Sequence, residues 1–189
     1  MTGTLFAIVL SMIAQALVVG SRTQTQLSHK IAVHRQASMA LDALVRDAEM
    51  ARYNANVRLI VGTVEGPVPA TDSDTDPDIF TEVENTPADP KELQFTRMEQ
   101  GATQYLPPQR IKVGYYRNIA DDTLRQVYYE SDGITIRPGT PPDGKVLASD
   151  VQDFDVKLEL SAVTGLNVLT ARIQVATINE HVVTEVTLE

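Results

Sequence analysis

The chain has 189 residues, 16 Lys and Arg against 25 Asp and Glu, and no cysteine. The length suits one ordinary domain, and a hydrophobic content of 43% excludes wholesale disorder. The lack of cysteine excludes a disulfide scaffold, a zinc ribbon, an iron–sulfur cluster and a thiol nucleophile, while the net charge of −9 predicts no nucleic-acid contact.

The charge is segregated. Residues 1–58 hold six basic and three acidic side chains, and residues 59–189 hold ten basic and 22 acidic. All ten prolines lie at or beyond Pro67. The first third and the rest are therefore different materials.

Residues 1–21 carry no charge, and fourteen of them are Ala, Val, Ile, Leu, Met or Phe. As a helix this stretch reaches roughly 30 Å, the thickness of a bilayer core. Apolar on every face, it suits lipid or a buried bundle, with Met1, Leu5, Phe6, Ile8, Val9, Leu10, Ile13 and Leu17 as its core-forming positions. A signal peptide would carry basic residues before the apolar run and a small-residue cleavage site after it, and neither stands here. A buried core helix of a soluble protein is the other alternative.

The helix is predicted to continue to about residue 56, because neither Gly nor Pro occurs between Ser21 and Val61. Ala37, Leu41, Leu44, Ala48, Ala51 and Ala55 recur at steps of four and three and make one apolar stripe. Arg35, Asp42, Arg46, Asp47, Glu49 and Arg52 are read onto the other faces. The second half is thus amphipathic and packs its stripe on the rest of the chain. At roughly 80 Å, such a helix is too long for a compact domain, so its first half projects.

The remainder reads as an antiparallel β head over 58–189, giving an α+β fold in which the N-terminal element spans 1–57. Strands are predicted at 57–64, 92–98, 110–117, 123–130, 151–160, 168–178 and 181–188. The alternation in 151–160 carries one offset near Asp153. Residues 118–122 and 179–180 read as hairpin turns. With no helical pattern between strands, the sheet is antiparallel.

Residues 65–90 hold eight acidic side chains, no basic one and five prolines, and read as a long acidic loop. Within it Asp72, Asp74, Asp76 and Asp78 alternate, and carboxylates so spaced can converge on calcium, with Glu82 and Glu84 completing the shell. Pro77 stands where a helix-flanked calcium loop needs glycine, so a solvated acidic loop is the alternative and no other cofactor is predicted. No phosphate-binding or nucleophile-elbow motif occurs. His29 and His34 are five apart, too far round a helix to share a zinc ion, and read as solvated surface. No carboxylate pair stands in apolar surroundings, so the sequence predicts no enzyme.

An uncharged half-helix, an amphipathic half-helix and an antiparallel sheet in that order resemble type IV pilins and pseudopilins. Residues 35–52 (RQASMALDALVRDAEMAR) are similar to the helix pattern of minor pilins of the PilW kind and of pseudopilin J of type II secretion. Residues 93–97, 111–117, 124–125, 146–156 and 170–177 resemble the strands of that group in order and spacing. The resemblance implies a filament subunit that is cleaved by a prepilin peptidase and N-methylated on Met1. Such a subunit sits in the bacterial inner membrane with a periplasmic head, then packs with other pilin or pseudopilin subunits, its head facing partners, a secreted cargo or an adhesin. Most pilins carry glutamate at the fifth position and many a proline near the twenty-second; here these are Leu5 and Arg22. Both departures imply a minor subunit at the filament tip.

Overall fold

The computed structural model describes residues 2–51, 57–61, 64–66, 80–86, 90–99, 109–160, 167–176 and 181–188. One helix, α1 (Thr2–Ala51), precedes eleven strands. Leu41 and Leu44 are buried, as are Ala37 and Ala51, and Ala48 is half-buried against the same core. The periodicity therefore locates the packed face correctly, and Val33 and Ala40 extend it. Ala55 lies outside the described residues.

The head holds two sheets rather than one. In the first, β1 (Val57–Val61), β2 (Val64–Gly66), β5 (Lys91–Glu99), β6 (Gln109–Asn118), β7 (Thr123–Tyr129) and β8 (Lys145–Ala148) run in the order β2-β1-β5-β6-β7-β8, and β4 (Glu84–Asn85) joins β6. The second runs β11-β10-β9-β3, from β3 (Thr81–Glu82), β9 (Val151–Leu160), β10 (Asn167–Ala176) and β11 (His181–Leu188). Every pairing is antiparallel except β4 with β6, which is parallel. The helix lies across both sheets, against β5 and β8 of the first and β10 and β11 of the second. One core results, which joins Leu44 of the helix with Leu93, Phe95, Val113 and Tyr115 from one sheet and Phe154, Ala171 and Ile173 from the other.

Three sequence expectations change. The strand read over 57–64 is two short strands paired antiparallel, with Leu59 opposite Gly66 and Val61 opposite Val64. Lys145–Ala148 is a strand that four residues were too few to announce. The turn at 118–122 is a hairpin as expected, Asn118 facing Thr123, whereas 179–180 lie outside the described residues. The offset near Asp153 is a β-bulge: Gln174 pairs with Asp153 and Val175 with Val151, leaving Gln152 over.

The third concerns the acidic stretch 65–90, which is not loop throughout. Its C-terminal part crosses between the sheets through β3 and β4. The Val83 N–H donates to the Phe154 carbonyl at 2.9 Å, and its own carbonyl accepts from the Arg117 N–H at 3.0 Å. Val83 is fully buried, so one apolar residue among acids stitches the two sheets. Arg117 reinforces the seam by donating to Glu84, to Asp122 Oδ1 at 2.8 Å and to the Val151 carbonyl at 2.8 Å.

Candidate functional site

From Met12 to Ala32 every residue of α1 is exposed, on all faces of the helix. Twenty-one residues at 1.5 Å each give a stem of roughly 30 Å that projects from the head. Ile13 is 51% and Leu17 69% exposed, and Met12, Val18, Val19, Leu27 and Ile31 stand out as well. Leu5, Phe6, Ile8, Val9 and Leu10 belong to the same helix, their side chains lying with Met1 outside the described set. Monomeric proteins rarely display an apolar surface of this extent, which marks a contact with a membrane or another chain. Among the described residues, whose side chains begin at Met12, no helix is long and apolar enough to cross a membrane.

Polar groups on the stem are internally arranged. Thr23 donates to the Val19 carbonyl and Thr25 to the Ser21 carbonyl, each at 3.0 Å. Hydroxyls bonded back to their own helix impose no unpaired donor on apolar surroundings. The first contact with the head comes from His29, 3.9 Å from Asp150, followed by Gln36, which accepts from the Ser149 N–H at 3.3 Å. Both His29 and His34 are exposed, as expected of surface histidines.

Below the stem, Asp47 fixes the helix to the head. The sequence places it on a solvated face, but it is only 2% exposed. Its carboxylate accepts from Arg97, from the Tyr115 hydroxyl at 2.6 Å and from Gln126 Nε2 at 2.8 Å. Gln126 Nε2 also donates to the Tyr115 oxygen at 2.7 Å. Burial, with the Asp47 carboxylate beside it, pushes the Tyr115 hydroxyl far above the usual tyrosine range, so it remains a donor. The Arg97 guanidinium lies 5.3 Å from the centre of the Tyr128 ring, and Phe95 meets Tyr115 edge-on at 5.8 Å. One helix and three strands thus converge on a single charge, every partner of which is satisfied. This arrangement sets the position of the stem relative to the head.

A second carboxyl is held on the far face of the first sheet. Residues 130–144, between β7 and β8, fold back over that face: Gln94 donates to the Gly133 carbonyl at 3.2 Å, while Tyr116 and Arg125 both donate to the Asp143 carbonyl at 2.9 Å. Beneath them Glu92 places its carboxyl where a side chain on Gly114 would stand, only 1.2 Å from the position of an added Cβ. Tyr129 donates to Oε2 at 2.9 Å, and among the described residues Oε1 has no donor. Burial pushes this carboxyl up to about 7, the Tyr129 bond offsetting only part of the effect. Sequence reading finds no such acid, since a glutamate alternating with leucine in a strand reads as solvent-facing.

Asp155 is buried as well; Arg172 holds it through Nη2 at 2.7 Å, and the same guanidinium lies 4.2 Å from the Phe80 ring centre. Among the described residues no three His, Asp or Glu side chains gather as a metal site. Asp72, Asp74, Asp76 and Asp78 lie outside the described residues. Comparison with protein-family models finds no match, and comparison with curated proteins finds none.

Proposed function

We propose that this chain is a minor pilin-like subunit of a type IV pilus or of a type II secretion pseudopilus, acting by assembly rather than catalysis. The observation that carries the reading is the stem: 21 consecutive helical residues exposed on every face, continuous with a helix half that packs on a β head. Such a surface needs a cover, and either lipid or the stems of neighbouring subunits supplies one without exposing it to water during transfer. The segregation of charge fits the same reading. The uncharged residues 1–21 enter the inner membrane, Arg22 and the basic residues after it meet the membrane surface, and the acidic head stands in the periplasm. With Leu5 in place of the usual glutamate, the subunit brings no buried carboxylate that must find a neighbour's terminal ammonium, which suits the tip of a filament. There it meets other minor subunits and a cargo or adhesin.

The N-terminus tests this. Mass spectrometry of the protein from its own cells is expected to give a mature chain starting at Met1 with one N-methyl group. An unprocessed terminus with basic residues upstream contradicts the filament reading and favours a plain single-pass anchor.

A further inference from the structure

We infer that the head carries a docking groove for an extended acidic segment of a partner protein, between α1 and the free edge of β8. The inference is independent of what covers the stem. The groove has a volume of about 520 Å³, within the range of built ligand clefts. Met39, Ala43, Arg46 and Met50 form its helical wall, at steps of four, three and four. The small side chains of Ala40 and Ala43 hollow out the trough, while Met39, Met50 and, opposite them, Val146 stand exposed on its rims.

The other wall identifies the shape of the occupant. β8 ends its sheet, pairing only with β7. Among the described residues no further backbone hydrogen bond reaches Lys145–Ala148. An open strand edge offers a row of donors and acceptors that a helix cannot satisfy but an added strand can. A groove with a strand edge on one side and a helix on the other therefore takes a peptide in extended form, its backbone on β8 and alternate side chains against Met39, Met50 and Val146.

Charge identifies its chemistry. The Asp47 carboxylate in the floor is neutralised by Arg97. That leaves Arg46 and Lys145, both exposed and both outside every ion pair among the described residues, one on each wall. In a head that is otherwise strongly acidic, two unpaired cations on opposite walls of one trough favour Asp or Glu at positions that alternate with apolar residues.

The probe is a fluorescein-labelled nine-residue peptide of alternating glutamate and valine, titrated into the full chain in detergent and followed by anisotropy. A peptide of alternating lysine and valine is the control. Saturable binding of the acidic peptide is expected, weakening at least tenfold for Arg46→Glu combined with Lys145→Glu. Both positions are exposed and outside ion pairs, so the double variant retains the fold, as circular dichroism should confirm. At saturation, hydrogen exchange at the Lys145–Ala148 amides should slow. Equal binding of both peptides, an unchanged affinity in the double variant, or binding without protection of these amides each overturns the inference. Absence of peptide binding together with self-association that the double variant abolishes also overturns it, assigning the groove to a second copy.

Discussion

Asp47→Ala is expected to cost about 3–5 kcal/mol of folding stability, the usual penalty for stranding one half of a buried charge pair. The loss has three parts. The Arg97 guanidinium keeps its charge in a half-buried site without its carboxylate, and the Tyr115 hydroxyl and Gln126 amide lose their acceptor. Against a typical total of 5–15 kcal/mol, that is enough to loosen the helix from the head. Asp47→Asn should cost less, since one acceptor oxygen remains for Tyr115. The double variant Asp47→Ala with Arg97→Ala should fall short of the sum of the singles by roughly 1–3 kcal/mol, the coupling expected of residues in contact. Denaturant melts of the full chain in detergent measure all three. A loss below about 1 kcal/mol for Asp47→Ala would show that the cluster is a bystander and that apolar packing alone seats the helix.

The second large effect is on pH dependence. Glu92 retains its proton up to about pH 7 in the folded chain but only to about 4.5 when unfolded. Between these values the folded state binds more protons than the unfolded one, so stability falls as pH rises from about 4.5 through 7 and then levels. At 1.36 kcal/mol for each pH unit the full shift amounts to about 3 kcal/mol, and solvent at the edge of the half-buried side chain reduces it to about 2–3 kcal/mol. Glu92→Gln should therefore leave stability at pH 5 nearly unchanged, raise it at pH 8 and flatten the slope between. Gly114→Ala provides an independent check, because its methyl group displaces the carboxyl and should lower the pH at which the fall levels off, shrinking its total. Melts at pH 5, 6, 7 and 8 decide it: a parallel pH profile for wild type and Glu92→Gln would assign the acid an ordinary ionisation.

These two carboxyls also mark where sequence reading stops. The helix stripe was legible because its signal is local, a spacing of four and three that one turn of helix imposes. Asp47 sits inside that stripe but carries a charge, and a charge on a helix reads as surface. Its partners are 50, 68 and 79 residues away in sequence, on three strands whose register no local pattern reveals. Glu92 is a similar case. It lies in a predicted strand on the face opposite Leu93, and what covers that face is residues 130–144, a non-repetitive segment bonded through Gln94, Tyr116 and Arg125. Val83 is harder still, one buried apolar residue in an acidic, proline-rich run whose composition is that of a loop. The start of the stem was more legible, because an uncharged and mostly apolar run up to Ser21 requires only composition and length to recognise.

In the cell the stem should be covered by membrane or by neighbouring subunits while the head is exposed. The chain has no cysteine, so single substitutions report without background. Leu17→Cys samples the stem, and Ile134→Cys, at a position 82% exposed on the head, is the control. Intact cells made permeable only at the outer membrane would be treated with a membrane-impermeant maleimide, and labelling read by mass shift. The account predicts that Ile134→Cys is labelled and Leu17→Cys is protected until the membrane and filaments are dissolved in detergent; equal labelling of both in intact cells would contradict it.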